Sequence, residues 1–180
     1  MANTFKLIGH KVIDADTTSI TFSGISQDFN DLILMYSDRS TRTDYDASFT
    51  AFTVNGSATG YSYTFGGSDN VNTSGLYEQV TDGSATAGRL GGTNTLATGF
   101  QANSFSSNTA YFPSYTSTTK SKAVLTYGGG NFLGTTKRNL LGVTASRWAT
   151  SNAPITSITL SMETGNISAG STYSLYGIGA

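Results

Sequence analysis

The chain has no cysteine, two prolines, a single histidine and few charges. Without cysteine there are no disulfides and no thiolate metal sites. Charged residues make up 12% of the chain, against about 25% in ordinary soluble domains. The net charge is −1, and Lys137-Arg138 is the only adjacent basic pair. Nucleic-acid binders cluster their cations to displace counterions from phosphates. That footprint is missing, so nucleic acid is not an expected partner. No apolar run is long enough for a membrane-spanning helix, so no membrane is expected either. The first residues, MANTFKLIGHKV, lack the apolar segment of a signal peptide.

Serine, threonine, asparagine and 21 glycines fill the space left by charge, together with 10 Phe and 10 Tyr. Disordered chains are poor in aromatics, so this chain is expected to fold. Its 180 residues suit one domain with a sizeable core. We read residues 1–16 as an N-terminal arm or first strand and residues 17–180 as a single domain.

Helical periodicity is almost absent. β-Branched and aromatic residues alternate with small polar ones between turn signals, which predicts strands. The segments are 5–13, 19–25, 31–38, 47–54, 62–65, 111–115, 123–127, 155–162 and 172–178. Asn55-Gly56, Asp82-Gly83, Gly128-Gly129-Gly130 and Gly165-Asn166 read as turns between strands. This pattern predicts an all-β sandwich or barrel. The run Leu32-Ile33-Leu34-Met35-Tyr36 is apolar on both faces, which predicts a central strand covered on both sides. Residues 66–108 read as long loops with one or two short strands, such as 76–80. Residues 131–149 read as strand, turn and strand around Lys137-Arg138-Asn139.

Signals of chemistry are sparse. His10, the one candidate general base, reads as a surface or interface residue, and no nucleophile elbow accompanies it. Asp14 and Asp16, and Asp44 and Asp46 with Asp38 nearby, are the only carboxylate clusters. They offer part of an oxygen shell for a hard cation, or are solvated turn residues. We therefore assign no catalytic, cofactor or metal residues, and expect no enzyme activity. Tyr61, Tyr63, Phe65, Tyr111, Phe112, Tyr115 and Trp148 can stack on sugar rings, or else pack a core or an interface. The glycine run 128–130 lacks the Lys-Ser/Thr sequel of a phosphate loop.

Two segments together, SITFSGISQDFNDLILMYSDRS (19–40) and ITSITLSMETGNISAGSTYSLYGI (155–178), resemble the jelly-roll domain of virion proteins in marine and cyanobacterial tailed phages. The middle lacks the Trp-rich stretch of that group. The resemblance implies a jelly-roll β-sandwich whose first and last strands pair, with a short N-terminal arm or edge strand. It further implies a virion structural protein on the outer surface of the particle, made in the host cytoplasm. With no fibre shaft ahead of the domain, a capsid decoration (cement) protein is the expected kind. Its partners would be the major capsid protein and itself, as a homotrimer. The alternative is a host-recognition module of a tail or fibre that binds carbohydrate.

Overall fold

The computed structural model describes residues 5–43, 47–69, 79–96, 103–132 and 138–179. Its strands are β1 (Phe5–Val12), β2 (Ser19–Ser23), β3 (Asp31–Ser37), β4 (Ala47–Val54), β5 (Tyr61–Asp69) and β6 (Gln79–Ala85). They continue with β7 (Gly88–Leu96), β8 (Ser107–Phe112), β9 (Lys122–Phe132), β10 (Arg138–Trp148), β11 (Ser157–Met162) and β12 (Thr172–Ile178). One sheet has eight strands in the order β1-β12-β3-β8-β9-β10-β5-β6; the other has four, β2-β11-β4-β7. Every pairing is antiparallel. The chain is thus an all-β, two-layer sandwich. β1 is the edge of the larger sheet and runs along β12 from Phe5↔Ile178 to Val12↔Thr172, with a bulge between Leu7 and Gly9.

Alternation creates the core, because successive side chains of a strand point to opposite faces. In β3, Leu32, Leu34 and Tyr36 point inward; in β12, Tyr173 and Leu175 do; in β11, Ile158 and Leu160 do. Phe52 of β4 sits at the middle of the core, its ring edge-on to Tyr61 (5.7 Å) and to Phe112 (5.8 Å). Burying such a ring contributes about 1.5–3 kcal/mol. Asn55 and Gly56 both have positive φ, 52° and 69°. They close a turn in which the Ser57 amide donates to the Val54 carbonyl. Glycine adopts that backbone region freely and asparagine tolerates it. This turn carries the chain from β4 in the small sheet to β5 in the large one.

Several sequence expectations need correction. Residues 66–108 are not mainly loop: β5 runs on to Asp69, and β6 and β7 lie there as well. Their Gly, Ser and Thr content hides the strands, because extended backbone needs partners more than it needs bulky side chains. Asp82-Gly83 lies inside β6 and Gly128-Gly129-Gly130 inside β9, so neither is a turn. The strand expected at 111–115 is β8, which ends at Phe112; Tyr115 follows in a turn. The segment 76–80 falls largely on residues 70–78, outside the described ones. Residues 133–137, where the turn between β9 and β10 was expected, are outside them too. The strand at 31–38 is central in the large sheet, as expected. Within one chain its second face is open, with Ile33 half-buried and Met35 43% exposed, and the sequence leaves that cover to a neighbouring subunit or an N-terminal arm.

Candidate functional site

The polar heart of the molecule lies where β3 ends. Asp38 is fully buried. Its Oδ2 accepts from the hydroxyls of Thr50 and Tyr173, and its Oδ1 from that of Ser106. Ser106 in turn accepts from the side-chain amide of Asn108. Burial raises the Asp38 pKa above the ordinary aspartate value, and the three hydroxyl donors oppose that rise. The same burial, with the Asp38 charge beside it, pushes the Tyr36 and Tyr173 hydroxyls well above the usual tyrosine range. No solvent reaches this carboxylate, so it joins strands together instead of meeting a substrate.

A second cluster centres on Arg89 of β7. Its guanidinium lies over Phe49 (4.1 Å) and Tyr63 (4.5 Å) and pairs with Glu163. Tyr63, Arg89 and Glu163 line a shallow depression with Ala51, Ser161 and residues 85–88. A third feature is Lys122, 2% exposed, whose ammonium donates to the carbonyls of Ser117, Lys120 and Asn152. Its pKa is lowered by burial. Stacking, ion pairing and carbonyl capping use up these cations within the fold.

The sequence candidates do not converge. His10 is exposed and its Nδ1 is 2.8 Å from the Ser174 hydroxyl across the β1–β12 pair. Asp14 and Asp16 are exposed, and Asp16 accepts from the Ala169 amide as a turn brace. Asp44 and Asp46 lie outside the described residues. Among the described residues, no three of His, Cys, Asp and Glu gather as metal ligands would. The aromatics divide: Tyr61, Phe112, Tyr115 and Trp148 are core residues. Tyr63 holds Arg89, Phe65 tilts against Phe49 (5.4 Å), and the Tyr111 hydroxyl donates to Asp31.

Sequence reasoning found one strand of a broad apolar surface, the doubly apolar run of β3, and missed the rest. The outer face of the eight-stranded sheet carries two middle rows that cross it from β1 to β5. One is Leu7, Tyr176, Ile33, Tyr111, Leu125, Ala145 and Thr64. The next is His10, Ser174, Met35, Thr109, Tyr127, Val143 and Gly66. Neither contains Asp, Glu, Lys or Arg. Among the described residues, all the exposed large apolar side chains lie on this face: Phe5, Leu7, Val12, Met35, Leu125, Tyr127, Leu141 and Val143. Leu141 is 66% and Tyr127 55% exposed. The outer face of the small sheet is the opposite, with Ser19, Thr21 and Ser23 of β2 beside Ser161, Thr159 and Ser157 of β11.

The cause lies on the inner side of β10. Thr144 donates its hydroxyl to the Gly91 carbonyl (2.7 Å) and Ser146 to the Arg89 carbonyl (2.6 Å). Side chains this short reach the β7 backbone only if the layers approach closely, which leaves no inward room for Leu or Val. Leu141 and Val143 therefore face out. The available signal was the period-2 run Gly142, Thr144, Ser146, small residues in the phase opposite to Leu141 and Val143.

Fold and surface define a class: an antiparallel β-sandwich with a buried polar pin and one broad apolar face whose two middle rows carry no charge. No known family model matches the chain, and no curated protein matches it either.

Proposed function

We propose that this chain is a structural protein of a tailed-bacteriophage particle, a capsid decoration protein built on a jelly roll. The observation that carries the reading is the strand order. Four neighbouring strands of the large sheet run in the order β1-β12-β3-β8, and the small sheet runs β2-β11-β4-β7, its β7 edge packing under β9 and β10. Along the chain these eight strands pass back and forth between layers, with β1 and β2 pairing to β12 and β11. That nested order is what two Greek keys rolled into a double sheet produce, an architecture recurrent in viral capsid proteins. β5–β6 and β9–β10 are then two hairpins added beyond β8. The match supports the resemblance of residues 19–40 and 155–178 to virion jelly rolls.

On this reading the function is mechanical. The protein binds the assembled shell and not its dispersed subunits, and whatever binds one state alone stabilises it by mass action. The free edge of β1 offers unpaired backbone groups to a neighbouring chain, here the major capsid protein. The glycan-binding alternative gains no support, since Tyr61, Phe112, Tyr115 and Trp148 are packed in the core.

The test is to mix the purified chain with capsids lacking their decoration protein. Saturable binding, with a rise in the temperature at which the shells burst, is expected. Shells that take up no protein and burst unchanged would sink the decoration reading.

A further inference from the structure

We infer that the outer face of the eight-stranded sheet is the contact surface for a second copy of this chain, giving a face-to-face homodimer. The inference rests on reading the chain as part of an assembly, but not on which particle that is. Exposed apolar patches beyond a few hundred Å² mark interaction sites on soluble proteins. Here β1 supplies Leu7, β3 Met35, β9 Leu125 and Tyr127, and β10 Leu141 and Val143.

Size suits a folded protein partner. At about 4.8 Å per strand, the strands from β1 to β5 span roughly 34 Å, and outward rows about 6.7 Å apart cover roughly 27 Å. The resulting footprint, on the order of 900 Å², matches the ~800 Å² that each partner gives to a standard interface.

Charge points the same way. A partner of another kind is usually steered and registered by complementary charge, and the two middle rows offer none. Two copies of these middle rows meet without like-charge repulsion, and the charged residues of the face, Arg147 and Asp31, lie in its marginal row. Asp31, at the margin, is already engaged by the Tyr111 hydroxyl and the Ser114 amide.

Shape agrees as well. Small residues (Thr109, Ser174, Ala145) sit beside large ones (Met35, Tyr127, Leu125) along the rows. Two such faces interdigitate at the ~10 Å spacing of stacked sheets. A patch that meets itself makes an isologous, two-fold pair. The homotrimer implied by the resemblance would instead need two different complementary patches on each protomer.

The test is the mass of the pure full-length chain by sedimentation equilibrium. Twice 18.8 kDa is expected for the wild type. Leu125→Glu places a carboxylate on the face, and an unpaired charge in an apolar contact is strongly unfavourable. It should weaken self-association by at least ~100-fold while leaving the circular dichroism spectrum unchanged. Should Leu125→Glu misfold, Thr109→Arg, a polar-to-polar change on the same face, decides instead. Thr21→Glu, on the Ser/Thr face of the small sheet, should leave the dimer intact. A wild type that is monomeric at all concentrations, a mass of three protomers, or a dimer unaffected by the face variants would overturn the inference. Capsids take no part in this measurement, so failure of the decoration reading and failure of the dimer are separately visible.

Discussion

Thr50 of β4 donates its hydroxyl to the buried carboxylate of Asp38, just past the end of β3. The bond ties the small sheet to the large one. Ser106 and Tyr173 converge on the same carboxylate from other parts of the chain. Asp38→Ala removes the shared acceptor; Ser106 keeps its bond to the backbone carbonyl of residue 38, whereas the buried Tyr173 hydroxyl loses its carboxylate. At about 1–3 kcal/mol for an unsatisfied buried group, the variant should be destabilised by roughly that amount. Urea denaturation at neutral pH measures this.

The same carboxylate sets a pH dependence. Burial raises its pKa in the folded state, so the folded protein holds the Asp38 proton more tightly than the unfolded chain does. Its stabilising contribution is complete below the unfolded aspartate pKa of about 3.9 and is lost as pH rises through the folded value. Relative to Asp38→Asn, which cannot ionise, the wild type should gain stability as pH falls from neutral toward the ordinary aspartate range. Parallel denaturant titrations across that range check the sign. A difference that stays flat or runs the other way would show that the hydroxyl donors outweigh burial.

Arg89 should matter more than its ion pair. Contacts of a partly desolvated guanidinium with aromatic rings are worth ~1–2 kcal/mol, and a half-exposed pair under ~1 kcal/mol. Glu163 is 39% exposed and Arg89 only 11%. Arg89→Ala is therefore expected to lower the denaturation midpoint clearly more than Glu163→Gln does. Equal losses would mean that the pair, and not the stacking on Phe49 and Tyr63, holds the cluster.

Gly128 is needed for space. A Cβ there would lie 2.1 Å from Asn108 Oδ1 and 2.5 Å from the Ser107 carbonyl oxygen. The carbonyl belongs to the β8 backbone and cannot swing aside as a flexible side chain would. Gly128→Ala should cost ~1–3 kcal/mol through forced displacement, read as a lower melting temperature. An unchanged melt would mean that β8 and β9 separate without penalty.

The sequence by itself determined where alternation is clean. β4 and β12 match the expected segments, and β2, β3 and β11 do so within two residues at an end. Strict period 2 in these segments puts Phe22, Leu34, Phe52, Leu160 and Leu175 on one face, and burial of that face specifies the strand. The all-β class followed from the same pattern, as did the placing of His10 in an exposed position on the first strand.

Tertiary structure decided what local pattern leaves open. Residues 79–85 and 88–96 are strands because β5 and β4 give them partners, although Gly-Arg-Leu-Gly-Gly resembles a loop. Asp38, expected near a surface carboxylate cluster, became a buried pin because segments more than sixty residues away deliver Ser106 and Tyr173 to it. Which side of β10 faces inward was settled by the close approach of β7, which admits Thr144 and Ser146 and turns Leu141 and Val143 outward. Periodicity specifies that a strand has two faces. Only the distance to the next layer selects which one is covered.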